Sequence, residues 1–214
     1  TKKLFMKMKI ETKICAFNQA ELIKLFSNSS RYLYFATINF LTMKSLMHNE
    51  DPHKILEIAN YKYPRPIISK PGFTAGTCLR KDFGMISEGS SGADILTSAW
   101  RINESLPEFL VEYCNNNLLK IINKNILILG YTFKADTDDV RDSLVPKLIN
   151  AIIKESPNKI IISDPHVDKK ELILTLDTIF VNDYEKVNDK IDICFIGTNH
   201  SFYKKNRSKI LKKL

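Results

Sequence analysis

The sequence predicts an α/β protein in two parts: a long-helix segment followed by a parallel α/β layer. Two observations carry this. A helical pattern runs from Gln19 to about His48 with no Pro or Gly to interrupt it. Later, three short apolar runs alternate with helical stretches, as strands of a parallel sheet do: Asn125–Gly130, Lys159–Asp164 and Asp192–Gly197.

Taken in order, the elements follow from local chemistry. The chain opens with a short extended stretch. Thr1-Lys2-Lys3-Leu4-Phe5-Met6-Lys7-Met8 is basic but has no apolar core or cleavage site, so it is no signal peptide, and the missing initiator Met suggests a start partway into a longer protein. In the long helix Leu22, Ile23, Phe26, Leu33, Ile38 and Leu41 recur at helical spacing and form the expected apolar face. Asn49-Glu50-Asp51-Pro52 breaks it, with Asp51 as N-cap and Pro52 in the first turn of a second helix to Asn60. Tyr63-Pro64-Arg65-Pro66 through Gly76 is too rich in breakers to be anything but loop. Helical patterning returns at Lys81–Ser87 and Asp94–Asn116, where Pro107 implies a kink or a fresh start. Ser143–Lys154 reads as the helix between the first two strands. The domain boundary falls near Leu119, giving parts 1–119 and 120–214.

Composition narrows the function classes. Hydrophobic residues are 44% and charged residues 26% of the chain, an ordinary globular balance. No apolar run approaches the roughly 18 residues that would cross a bilayer. The formal charge is +8, densest at Lys204, Lys205, Arg207, Lys209, Lys212 and Lys213, which read as a solvated, partly frayed tail. No aromatic stacking pattern or nucleic-acid motif accompanies it, so neither nucleic acid nor membrane is expected as a partner. Cys15, Cys78, Cys114 and Cys194 lack C-x-x-C spacing, and His48, His53, His166 and His200 lack ligand spacing, so no metal is expected. Four free thiols fit a reducing cytoplasm, each a small core residue or, for one of them, a nucleophile.

Three stretches could carry chemistry. Lys24, Asn28, Arg31, Phe35 and Asn39 form one stripe along the long helix. The bland reading is a solvated face, yet interior asparagines contribute to a helix only when their amides find partners. In the loop Lys70–Asp82, Gly72, Gly76 and the small Ala75 allow close backbone approach to a ligand. Cys78 ends that loop where a helix can begin, so helix amides and Lys81 would favour a thiolate, and Asp82, one turn on, could hold a water or a proton. The third stretch, Gly130–Ser143, leaves a strand at the end where α/β sheets bind ligands. It has one glycine, so no Gly-x-Gly-x-x-Gly, and no dinucleotide is expected there. Lys134 and Arg141 are its candidate anion contacts, while Asp136, Asp138, Asp139 and Asp142 suit loop structure and capping.

In this order the stretches resemble the UDP-glucose/GDP-mannose dehydrogenase family. The matching pieces are Ala20-Glu21-Leu22-Ile23-Lys24-Leu25-Phe26-Ser27-Asn28, Pro-Gly-Phe-x-Ala-Gly-x-Cys-Leu-x-Lys-Asp at 71–82, and Phe133-Lys134-Ala135-Asp136-Thr137-Asp138-Asp139-Val140-Arg141-Asp142-Ser143, with Asp164-Pro165-His166 beyond. The resemblance implies a long-helix dimerisation segment followed by a Rossmann-like domain that binds the nucleotide sugar, its last strand truncated. It implies NAD-dependent oxidation of a sugar C6 to the uronic acid, with two NAD consumed. Cys78 would be the nucleophile, Lys24 and Asn28 would flank the reacting oxygen, and Asp82 would orient the hydrolytic water. Thr74, Ala75 and Gly76 would line the sugar pocket, Lys134 would contact the nucleotide sugar, and Lys81 and Arg141 would reach the cofactor. The family's main NAD domain, with its catalytic Glu, is not in these residues, so the chain alone is expected to be inactive. The alternative is a non-catalytic UDP-sugar-binding and dimerisation module, or a decayed gene fragment.

Overall fold

A computed structural model describes residues 2–64, 68–89, 91–172 and 178–214. Arg65 and Pro66 of the breaker-rich loop lie outside these. The helical part comprises α1 (Lys2–Lys7), α2 (Phe17–Met47), α3 (Pro52–Asn60), α4 (Thr77–Ser87) and α5 (Asp94–Tyr113), which ends in a π turn over Cys114–Leu118. The second part holds β1 (Asn125–Leu129), α6 (Val145–Lys154), β2 (Lys159–Ser163), β3 (Thr178–Val181), β4 (Ile193–Ile196), α7 (Ser201–Lys205) and α8 (Arg207–Leu211).

The sheet is wholly parallel, in the order β3-β2-β1-β4. β1 and β2 are buried on both faces, which is why they read as continuous apolar runs rather than alternating ones. Alternation appears instead in where the side chains go. Ile126 and Ile128 join α6 and Val111 of α5 on one face; Leu127 and Leu129 join Tyr203 and Ile210 on the other. α5 therefore contributes to the core of the α/β layer.

α3 follows its local signals: Asp51 Oδ1 accepts from His53 N at 2.8 Å, with Pro52 in the first turn. Several expectations need correction. The start is helical (α1), not extended. α4 begins four residues before Lys81, which brings Cys78 into its first turn. Pro107 sits inside one continuous helix, so there is no fresh start. The short strand β3 went unread, although Thr178-Ile179-Phe180-Val181 carries β-branched and aromatic strand chemistry. The basic tail does not fray: α7 and α8 bury Tyr203 and Ile210, and Lys209 and Lys213 bond to Glu185 and Val187.

The largest correction concerns α2. Its buried residues are Asn28, Ser29, Tyr32, Ala36, Ile38, Asn39 and Thr42, whereas Leu22, Ile23, Phe26 and Leu41 are exposed. The solvated-face reading of the polar stripe fails at both asparagines; it holds for Lys24 and Arg31. α2 packs inward through Tyr32 and Ile38 together with small and amide-bearing residues, so of the expected apolar face Ile38 is buried and Leu33 packs against the core beside it.

Candidate active site

Lys24 and Asn28 lie one turn apart on α2 and therefore face the same way. Across from them α4 presents Asp82. A single carboxylate oxygen, Asp82 Oδ2, accepts from Lys24 Nζ at 2.9 Å and from Asn28 Nδ2 at 2.5 Å, and Lys81 Nζ stands 3.8 Å from Oδ1. The Asp82 side chain is 5% exposed and that of Lys24 59%, so the cluster runs from the interior to the surface. The Lys24 hydrogen bond holds the Asp82 carboxyl below its ordinary range against the effect of burial, helped by Asn28 and by the charges of Lys24 and Lys81.

Cys78 stands one turn before Asp82 on α4 and is exposed. Its helix starts after Gly76 at φ 98°, a left-handed conformation suited to glycine. Arg141 forms a two-point pair with Asp139, Nε to Oδ1 at 2.9 Å and the second nitrogen to Oδ2 at 2.7 Å. That pair raises the Arg141 pKa.

The loop before Cys78 is closely held. Thr74 and Ala75 are buried. A Cβ on Gly76 would come within 2.6 Å of the Phe133 ring, so the smallness of that glycine accommodates a neighbouring side chain; Gly72 faces open space. Gly76 N donates to Asp142 O at 3.3 Å. Sequence reasoning missed the ion network beneath it. Glu104 of α5 accepts from Arg80 Nε at 2.8 Å and also from Lys147 of α6, and Arg80 reaches Asp142 Oδ1 at 3.3 Å. The signal was a charged residue, Glu104, at a helix position that turns inward.

Lys134 is exposed on the loop after β1. A buried pair shapes this loop: His200 Nε2 lies 3.1 Å from Asp164 Oδ2, and His200 Nδ1 accepts from Asp136 N at 2.9 Å. Asp164 also accepts from Tyr131 N at 2.7 Å and His166 N at 2.9 Å. Burial raises the Asp164 pKa, but these bonds outweigh it and the net shift is downward. Asp136 in turn accepts from Ser201 N and Oγ at the start of α7. Ligand atoms of Asp136, His166 and His200 lie within 4.8 Å of one another, but those of Asp136 and His200 already serve these bonds. Between the ends of β1 and β4, a Cβ on Gly197 would stand 2.7 Å from Gly130 O, so the two strands pack here through a pair of glycines.

Two family models match the chain. One is the central domain of the UDP-glucose/GDP-mannose dehydrogenase family, over residues 18–105; the other is the UDP binding domain of that family, over residues 127–214. A UDP-N-acetyl-D-mannosamine dehydrogenase of Methanocaldococcus jannaschii is 34% identical over 64% of this chain and 32% of its own length. One from Pyrococcus horikoshii is 30% identical over 86% of this chain and 43% of its own. A solved structure of the UDP-D-ManNAc dehydrogenase from Pyrococcus horikoshii superposes with a TM-score of 0.73 at 29% identity, covering 91% of this chain and 46% of that one. The chain thus spans less than half the length of these relatives.

Proposed function

The chain belongs to the UDP-glucose/GDP-mannose dehydrogenase family, and from that premise we propose that it is the substrate-holding, thiol-bearing part of an NAD-dependent nucleotide-sugar 6-dehydrogenase. The observation that carries the reading is the Lys24–Asp82–Asn28 cluster with an exposed Cys78 one turn away. When bound, NAD would supply the acceptor for the hydride that leaves C6 in each of the two oxidations, the hydroxyl proton passing to solvent. Lys81 and Arg141 are exposed cations that would meet its phosphates.

The chemistry of the chain follows from its groups. Lys24 and Asn28 place an ammonium and an amide donor where negative charge develops on the C6 oxygen. The Cys78 thiolate adds to the aldehyde carbon, a C–S bond forms, and the oxygen takes a proton to give a thiohemiacetal. After the second oxidation the C–S bond belongs to a thioester. Water held by Asp82 attacks it, the thiolate leaves, and a carboxylate is released. Thr74, Ala75 and Gly76 line the sugar site and Lys134 meets the nucleotide. The sugar class is that of the relatives, a UDP-hexose or UDP-N-acetylhexosamine. A second copy of the chain would cover the exposed Phe17, Leu22, Ile23 and Phe26 of α2.

The test is thiol labelling of the 214-residue chain. Cys78 should react faster than Cys15, Cys114 and Cys194, and UDP-N-acetylglucosamine or UDP-glucose should protect it while leaving Cys15 unprotected. Since Cys15 is also exposed, it is the internal control. Equal labelling of Cys78 and Cys15 without protection would overturn the reading. NAD plus either sugar nucleotide should give no NADH with this chain alone.

A further inference from the structure

Asn39, in the same stripe as Lys24 and Asn28, takes no part in the chemistry above. It is nevertheless 1% exposed, and its carboxamide is engaged on both sides. Gly72 N donates to Asn39 Oδ1 at 3.1 Å, and Asn39 Nδ2 donates to Gly72 O at 3.0 Å. Nδ2 also donates to Asn103 Oδ1 on α5 at 3.0 Å. A side chain pairing both ways with one backbone residue fixes that residue in position and orientation, as a strand partner would. Burying an amide is costly unless it is bonded in this way.

α2 thus fastens one segment of chain twice, Gly72 through Asn39 and Asp82 through Asn28. The two asparagines are about 16 Å apart along the helix at 1.5 Å per residue. Cys78 lies between the two fastened points. Resting on the functional reading above, we infer that Asn39 is a positioning residue that sets where the Cys78 sulfur stands relative to Lys24 and Asn28. It touches no substrate and acts through Gly72.

The full chain and its Asn39→Ala variant test this in two measurements. In the unchanged chain the Gly72 amide should exchange slowly with solvent, and in the variant about tenfold faster, with β1 amides unaltered. The UDP-N-acetylglucosamine concentration giving half-protection of Cys78 should rise at least about fivefold in the variant. Tyr32→Phe, which alters the same interior but leaves the Gly72 pairing, should stay within about twofold of the unchanged chain. Failure of the sugar nucleotide to protect Cys78 in the unchanged chain strikes the functional reading and this inference together. Protection in the unchanged chain that persists undiminished in Asn39→Ala overturns the inference alone. Should the variant not fold, a rapidly exchanging Gly72 amide in the unchanged chain would overturn it equally.

Discussion

Asn28 donates its amide to Asp82 Oδ2 at 2.5 Å, which joins the long helix to the helix bearing the exposed thiol. Both residues are buried, so removing either leaves the other's polar group short of a hydrogen-bond partner.

This pairing has a pH signature. The folded carboxyl of Asp82 titrates below its unfolded value. Its contribution to stability is therefore complete above the unfolded pKa and disappears as pH falls through the folded one. Asp82→Asn should lower stability by about 1–2 kcal/mol at neutral pH, the Lys24 share being reduced by that side chain's exposure. The gap between the two chains in melting temperature should narrow as pH is lowered from about 7 to about 3. A gap independent of pH would show that the carboxylate charge contributes nothing.

Gly76 meets two constraints at once, a φ of 98° and the Phe133 ring. Gly76→Ala should destabilise the chain by about 1–3 kcal/mol in denaturant unfolding. Adding Phe133→Ala removes the clash and leaves the backbone strain. The double variant should therefore lose less than the sum of the two single variants.

Glu104 is nearly enclosed and holds Arg80 and Lys147 together. Glu104→Gln should cost about 1.5–3 kcal/mol. In a cycle with Arg80→Ala the two effects should not add, and additivity in urea melts would argue that the network is incidental.

The tail offers a sharper contrast with its sequence. Were Lys204–Leu214 a frayed basic end, Ile210→Ala would change nothing. Because Ile210 packs against the sheet, the substitution should lower stability by about 2–3 kcal/mol, read by thermal unfolding.

Rules confined to neighbouring residues read this chain well. Asp51-Pro52 announced the start of α3, and the runs at 125 and 159 announced buried strands, because caps and continuous apolar stretches act over a few positions. The inside and outside of α2 could not be read the same way. Helical spacing shows which residues share a face, but not which face meets a neighbour. Asn28 and Asn39 turn inward only because Asp82 and Gly72, far along the chain, come to them. Glu104 is a similar case, its cations arriving from α4 and α6. Of the site itself, Lys24, Asn28 and Asp82 are drawn together as one unit. Lys134 is exposed on the loop whose Phe133 packs against Gly76.

The short stretch ahead of the thiol hangs between two supports, with Asn39 gripping Gly72 and the 133–142 loop gripping Gly76. A displacement of the second support is therefore passed to the segment leading into Cys78, which follows Gly76 by two residues.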